Sequence, residues 1–176
     1  DLLATLQGAL KHSGVVRIDG RAVPRLSGHG IECHHAGGTV TAALAVQSDG
    51  ARPAGLERQY GQNAVLTNVR ASRPQVGWAY ERFTQTGPLA ALPHPQGEDI
   101  YSIVWCCSPE QAETLRGLPT AEFDRRLQEQ FGDRLGALQS LSPVSVFPLA
   151  LHAGPSRIHA RCIAIGNAAQ TLHPVA

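Results

Sequence analysis

Several residue types and patterns are scarce or missing in this chain of 176 residues. It contains no Met and a single Lys, Lys11, and no apolar run approaches the length of a membrane-spanning helix. Its four Cys form no Cys-x-x-Cys pair, which argues against a zinc ribbon or a thioredoxin motif. The formal net charge of +1 gives no support to a general nucleic-acid surface. We therefore expect a cytoplasmic protein in a reducing compartment, and the missing Met leads us to expect an internal segment of a longer protein.

The residues that are present indicate a globular α+β domain. Apolar residues make up 43% of the chain and charged residues 16%, a balance that can form a packed core. Residues 2–10 carry apolar side chains at helical spacing, and Gly14 follows as the expected cap. Between residues 15 and 50, turn signals such as Asp-Gly and Gly-Gly predict short antiparallel strands, the last at 41–47. Further strands are predicted at 63–71, 77–84, 88–92, 100–107, 143–150 and 161–165.

The middle of the chain predicts a central strand followed by two helices. Both faces of the strand at 100–107 are mainly apolar, so we expect it to be covered on both sides. Ser108 begins a capping box, with Pro109 at the first helical position. A second helix is expected from Thr120, with Phe123, Leu127 and Phe131 on one apolar face. The fold class is therefore a mostly antiparallel or mixed β-sheet with a few helices, in a single domain over residues 1–176.

The last sixteen residues carry the sharpest functional signal, and they read RCIAIGNAAQTLHPVA. A buried strand ends at Gly166, which permits a tight turn, and residues 167–169 would open a helix. Exposed N–H groups at a helix N-terminus favour an anion such as a pyrophosphate, and Asn167 could bond a sugar hydroxyl. Small Ala168 and Ala169 would allow close approach. An ordinary strand–turn–helix connection is the alternative interpretation.

This segment resembles the second FAD-binding motif of the class A flavoprotein aromatic hydroxylases. The run GNAAQTLHP is similar to the ubiquinone-biosynthesis branch, the polyprenylphenol hydroxylases. Two further stretches agree in chain order: ALAVQSDGARPAG at 43–55 resembles the strand that ends in Asp-Gly, and residues 68–106 resemble the sheet of the substrate domain. FPLAL at 147–151 completes the match, which spans roughly residues 40–176. No G-x-G-x-x-G follows a first strand, so the dinucleotide-binding unit is absent from this sequence.

The resemblance implies that the parent protein is an FAD-dependent monooxygenase that uses NAD(P)H and O2 to hydroxylate a polyprenylated phenol. It implies that the cofactor is bound by Asp49, Gly50, Gly166, Asn167, Ala168, Ala169, His173 and Pro174. It leaves room for a peripheral association with the membrane and for a complex with other quinone-biosynthesis proteins. Two alternatives stay open: a flavoprotein hydroxylase of another aromatic compound, and a binding domain without activity of its own. We expect neither FAD nor NAD(P)H to bind to residues 1–176 alone, and we expect the chain from about residue 166 to be poorly anchored.

Aromatic residues predict where a substrate ring would bind. Tyr80, Arg82 and Trp105 are candidates for the wall of an aromatic pocket, although one face of each strand must be ordinary core. His173 could contact the flavin or take part in proton transfer, or it could only stabilise the turn before Pro174. The run Cys33-His34-His35 could suggest a metal, but adjacent side chains on a strand point to opposite faces, so no metal site is predicted.

Overall fold

The computed structural model describes residues 2–28, 30–50, 55–154 and 160–173. Three α-helices are present in these ranges, at Leu2–Leu10 (α1), Pro109–Arg116 (α2) and Thr120–Phe131 (α3). Single 3-10 turns span Asp133–Leu135 and Gly166–Ala168. The strands are Val23–Ser27 (β1), Gly30–His35 (β2), Gly38–Ala42 (β3), Ala45–Gln47 (β4), Leu56–Ala71 (β5), Tyr80–Thr84 (β6), Gly87–Pro93 (β7), Ile100–Cys107 (β8), Leu138–Ser140 (β9), Ser145–Ala153 (β10), Cys162–Ala164 (β11) and Gln170–Thr171 (β12).

The chain divides into two compact units, Asp1–Glu57 with Leu151–Leu172 and Arg58–Ala150 with His173–Ala176. In the first unit, β1, β2 and β3 form an antiparallel three-stranded sheet, and β4 pairs with β11 in a separate two-stranded sheet. Strand β12 pairs antiparallel with the end of β10. The prediction that all 176 residues form one substrate-binding domain stays a prediction.

The second unit is a mostly antiparallel sheet in the order β10-β5-β8-β7-β6, and β9 pairs with the end of β5. Helices α2 and α3 cover one face of this sheet. The apolar face predicted for α3 is confirmed, since Phe123, Leu127 and Phe131 are all buried. Burial of side chains of this size contributes about 1.5–3 kcal/mol each. The core of this unit contains Val65, Val69, Leu89, Tyr101, Ile103, Trp105, Leu115, Phe123, Leu127, Phe131 and Leu135.

The capping box and the central strand also follow the sequence. The Oγ atom of Ser108 accepts a hydrogen bond from the backbone N–H of Gln111 at 3.2 Å, and Pro109 begins α2. Strand β8 lies between β5 and β7, as expected for a central strand. Among the described residues, helices cover one of its faces; on the other face Cys106 is buried but Ser102 and Val104 are only half-buried, so the expected cover is complete on one side and partial on the other.

Two predictions about pairing and continuation are also wrong. Residues 45–47 do not pair antiparallel with their neighbour in the chain; they pair parallel with β11, more than a hundred residues later. The helix expected from residue 167 is a single 3-10 turn, because Gln170 and Thr171 extend to pair with Ala153 and His152. Residues 170–171 are thus anchored by strand pairing, contrary to the expectation of a loose segment.

Candidate functional site

Two of the predicted cofactor-binding turns lie at the same edge of the small parallel sheet in the first unit. Ala45 is opposite Cys162, and Gln47 is opposite Ala164. The backbone N–H of Ile165 extends the pairing by donating to the carbonyl of Gln47 at 2.9 Å. Because carboxyl ends of parallel strands meet at one edge, the residues that follow β4 and β11 are brought together there, and this edge is where open α/β sheets bind ligands. Those residues are Ser48, Asp49 and Gly50 after β4, and Gly166 and Asn167 after β11.

Both turns depend on a glycine in the left-handed region of backbone conformation. Gly50 has φ 71° and Gly166 has φ 60°, and a Cβ atom added at either would meet no atom of the described residues within 4 Å. No described residue therefore fills the space beside either glycine. In the 3-10 turn, the side chain of Ala168 is buried, whereas Asn167 is exposed and available to a ligand.

A groove of about 1230 Å³ lies beside these strand ends within the first unit. The carboxylate of Asp49 faces its own strand and accepts hydrogen bonds from Nε2 of Gln47 at 3.2 and 3.4 Å. The groove is lined by both apolar and polar atoms. Its lining residues are Ile18, Gly20, Arg21, Ala22, Val23, Pro24, Cys33, Ala45, Val46, Gln47, Ser48, Asp49 and Cys162.

Within the second unit, His173 makes two contacts with strand β5. Its Nε2 atom lies 3.1 Å from Oε1 of Gln62, and its ring meets the edge of the Tyr60 ring at a centroid distance of 5.0 Å. These contacts orient the imidazole on β5. Pro174, the last residue of the predicted cofactor set, lies outside the described residues.

The three residues predicted to bind substrate lie on the helix-covered face of the sheet. Trp105 is buried in the core, and its Nε1 atom donates to Oγ1 of Thr86 at 3.4 Å. The ring of Tyr80 packs edge-on against Phe131, and the guanidinium of Arg82 lies over the same Phe131 ring at 5.5 Å. Their role in substrate binding stays a prediction, and the geometry gives all three a packing role.

The opposite face of the same sheet carries none of the substrate-binding residues that the sequence predicts. Strand alternation sends Leu66, Asn68, Ser102 and Val104 to this side, where no helix of the described ranges covers them. We call this surface the open face. Its members on β5, β8 and β7 are Ala64, Leu66, Asn68, Ser102, Val104, Cys106, Ala90 and Leu92. The alternation in IYSIVWCC indicates that β8 has two faces, but the pattern does not indicate which face the helices cover.

Two hollows lie on the open face. One, of about 480 Å³, is the serine-lined hollow, bounded by Leu66, Thr67, Asn68, Ser102, Ile103, Val104, Ser142, Pro143, Ser145 and Phe147. The other, of about 340 Å³, is the alanine-lined hollow, bounded by Ala79, Tyr80, Glu81, Pro88, Ala90, Leu92, Val104 and Cys106. Both volumes fall in the range of small-molecule sites.

Two thiols of β8 are kept protonated. Burial raises the pKa of Cys106, and the nearby carboxylate of Glu81 raises it further. Burial, with a smaller contribution from Cys106, raises the pKa of Cys107 to about 11. Neither thiol is therefore suited to nucleophilic work at neutral pH.

The described part of the chain contains neither a metal-binding cluster nor a membrane-spanning helix. No three His, Cys, Asp or Glu side chains lie close enough there to hold a metal ion, the Cys33-His34-His35 run included. None of the described helices has the length and apolar character needed to cross a membrane.

Comparison with known proteins gives related sequences but no match to a protein-family model. The chain is 35% identical over 148 residues to the ubiquinone hydroxylase UbiL of Rhodospirillum rubrum, which covers 80% of this chain and 34% of that protein. It is 34% identical over 145 residues to the uncharacterized protein slr1300 of Synechocystis, with 78% and 34% covered. It is 28% identical over 148 residues to the 3-demethoxyubiquinol 3-hydroxylase of Escherichia coli, with 80% and 37% covered. The chain thus spans about a third of the length of these curated relatives.

Solved structures with the same fold are flavin enzymes. The flavin-dependent halogenase CmlS matches 97% of this chain and 34% of its own, with a TM-score of 0.66 at 15% identity. The halogenase PltM, solved with phloroglucinol and FAD, matches 98% of this chain and 41% of its own, with a TM-score of 0.62 at 17% identity. At these identities the likeness establishes the fold alone. In sequence, the chain is thus similar to ubiquinone-biosynthesis hydroxylases over about a third of their length, and it has the fold found in these flavin-dependent enzymes.

Proposed function

We propose that the protein to which this chain belongs is an FAD-dependent monooxygenase that hydroxylates a polyprenylated phenol in ubiquinone biosynthesis, with NAD(P)H as reductant and O2 as oxidant. The relatives named as ubiquinone hydroxylases support the reaction and the substrate class. The single observation that carries the proposal in this chain is the parallel pairing of β4 with β11. It brings the Asp-Gly and Gly-Asn turns of the family resemblance to one edge of one sheet.

The residues at that edge fit a flavin nucleotide. The left-handed turns at Gly50 and Gly166 leave open space in which a cofactor can approach the backbone. Asn167, which is exposed, can donate to or accept from a ribitol or sugar hydroxyl, and Ala168 keeps the turn compact. When bound, FAD would supply the redox chemistry and the activation of O2. The protein would contribute binding, orientation and the exclusion of water.

The open face of the second unit fits the substrate. A polyprenyl phenol combines a flat aromatic ring with one polar atom and a long apolar tail. The serine-lined hollow offers hydroxyl and amide groups beside Leu66, Val104 and Phe147, and the alanine-lined hollow next to it is mainly apolar. A membrane-soluble tail also suggests that the protein approaches the lipid surface peripherally and works beside other quinone-biosynthesis proteins.

The proposal is tested on the complete gene product. We expect it to bind FAD, detected by quenching of flavin fluorescence, and to oxidise NAD(P)H faster when a 2-prenylphenol is added. Mass spectrometry should then find one atom of 18O from labelled O2 in the product. A product without the label, or the absence of FAD binding, would contradict the proposal.

A matched pair of glycine variants tests whether the turn at Gly166 contributes to FAD binding. Gly166→Ala places a methyl group in the space above the turn, and we expect the dissociation constant for FAD to rise at least about tenfold, which corresponds to 1.4 kcal/mol. Gly14→Ala is the control, because Gly14 also has a left-handed φ, of 73°, and an equally open surrounding, but lies after α1. Equal FAD affinities for the two variants would argue against a cofactor site at Gly166.

A further inference from the structure

Asn68 occupies a fixed position on the open face. Its backbone N–H donates to Oγ of Ser142 at 3.0 Å, and its backbone carbonyl accepts from the N–H of Leu141 at 2.7 Å. Both backbone groups therefore point away from β8, and Asn68 forms a non-hydrogen-bonded pair with Ser102 across the antiparallel strands. Side chains lie closest in pairs of this kind, at about 4.5 Å between Cα atoms.

The side chain of Asn68 is oriented by its neighbour across the strands. Oγ of Ser102 donates to Oδ1 of Asn68 at 3.0 Å. This bond fixes the rotation of the amide and leaves both N–H bonds of Nδ2 as donors. Within residues 2–28, 30–50, 55–154 and 160–173, no group accepts a hydrogen bond from Nδ2.

The residues around Nδ2 of Asn68 determine which kind of ligand group could accept its hydrogen bond. The serine-lined hollow contains no charged side chain, and its apolar walls come from Leu66, Val104 and Phe147. A flat ring can pack against these walls, and burial there would exclude water from the amide. An amide donor left unpaired in such a place costs free energy, whereas an oxygen on the ring would satisfy it.

We infer that Nδ2 of Asn68 donates a hydrogen bond to the phenol oxygen of the substrate, and that Ser102 is a positioning residue that holds the amide in this orientation. The inference rests on the proposed function and adds to it a named contact for the ring. A phenol and a phenolate oxygen both accept such a bond. An aromatic ring without an oxygen substituent cannot accept this hydrogen bond.

The experiment compares two ligands that differ only in that oxygen. Equilibrium dialysis of the complete gene product measures the dissociation constants of 2-prenylphenol and of prenylbenzene, and their ratio is the readout. A neutral hydrogen bond contributes about 0.5–1.5 kcal/mol, so we expect Asn68→Leu to reduce the preference for the phenol by about 3- to 10-fold. Ser102→Ala should reduce it by a smaller factor. Gln139→Ala is the control, because Gln139 is exposed on β9 and lies outside the lining of the hollow, and it should leave the ratio unchanged.

If Asn68→Leu does not fold, Asn68→Ala replaces it in the experiment, because this substitution removes the same amide donor without adding side-chain volume. An unchanged ratio in a folded Asn68 variant would overturn the inference while leaving the hydroxylase proposal intact. A wild-type gene product that neither binds FAD nor hydroxylates the phenol would instead contradict the proposed function. An unchanged ratio in Ser102→Ala alone would overturn the positioning role of Ser102.

Discussion

The Nε2 atom of His173 lies 3.1 Å from Oε1 of Gln62 on strand β5. By strand alternation, Gln62 belongs to the same side of β5 as Leu66 and Asn68, which form part of the open face. A residue of the predicted flavin-binding segment therefore contacts the strand that carries the proposed substrate surface. Six residues along a strand span about 20 Å, so the contact and Asn68 lie toward opposite ends of that surface.

Removal of the Gln62 side chain should weaken cofactor binding. Gln62→Ala deletes the polar contact that orients His173, and we expect the dissociation constant of the complete gene product for FAD to rise about 3- to 10-fold, as for one lost hydrogen bond. Fluorescence titration measures it. Gln139→Ala is the control, since Gln139 is exposed on β9 and has no described hydrogen bond from its side chain. Equal FAD affinity for the two variants would show that His173 lies outside the flavin site.

Trp105 and Trp78 separate a packing role from a role in substrate binding. Trp105 is 1% exposed in the core, whereas Trp78 is 66% exposed. We expect Trp105→Phe to lower the free energy of unfolding by about 2 kcal/mol through loss of packed volume, with KM for the phenol unchanged. Trp78→Phe should leave stability unchanged. Urea unfolding and steady-state kinetics measure the two quantities, and a large rise in KM with unchanged stability would instead support the substrate contact predicted from the sequence.

Local patterns predicted most of the second unit. The cap at Ser108, the apolar face of α3 and the alternation along β8 are set by residues within one or two turns, or within one strand, so the sequence displays them directly. The sequence predicts a strand over 100–107, and β8 has these bounds in the structure.

The pairing of strands that are distant in the sequence could not be predicted from such local patterns. The parallel match of β4 with β11 joins segments more than a hundred residues apart, and neither strand carries a sign of its partner. The alternation in β8 identifies two sets of side chains, but α2 and α3 decide which set becomes core. For this reason the predicted substrate residues, including Trp105, lie on the helix-covered face. The sequence alone does not identify the polar pair Asn68 and Ser102 as candidates for substrate binding.

Gly87 should tolerate no side chain. It begins β7 with φ 135°, and a Cβ atom there would lie 2.1 Å from the backbone carbonyl oxygen of Cys106 on the neighbouring strand. We expect Gly87→Ala to destabilise the protein by more than about 3 kcal/mol, because strain of the backbone adds to the overlap. Gly77→Ala has a similar backbone cost, with φ 77°, but no atom within 4 Å. Urea unfolding of both variants measures the difference, and equal stabilities would contradict the close approach of β7 and β8.

The thiols of β8 should make stability depend on pH in the alkaline range. Because the pKa of Cys107 is raised from 9.0 to about 11 in the folded state, the folded protein keeps a proton that the unfolded chain loses between these values. The contribution to stability is fully present below pH 9 and is lost as the pH rises toward 11. The difference in unfolding free energy between wild type and Cys107→Ala, measured from pH 8 to 11, isolates this effect from other titrating groups.

The same burial predicts an order of chemical reactivity among the cysteines. The thiolate is the reactive form, so iodoacetamide at pH 8 should modify Cys33, which is only half-buried, well before Cys106 and Cys107. Peptide mass spectrometry at increasing reaction times gives the order. Mild urea, which opens the second unit, should bring the rates of Cys106 and Cys107 up to that of Cys33. Rapid modification of Cys106 in the native protein would mean that the open face exposes this thiol, and the alanine-lined hollow would then be deeper than the structure indicates.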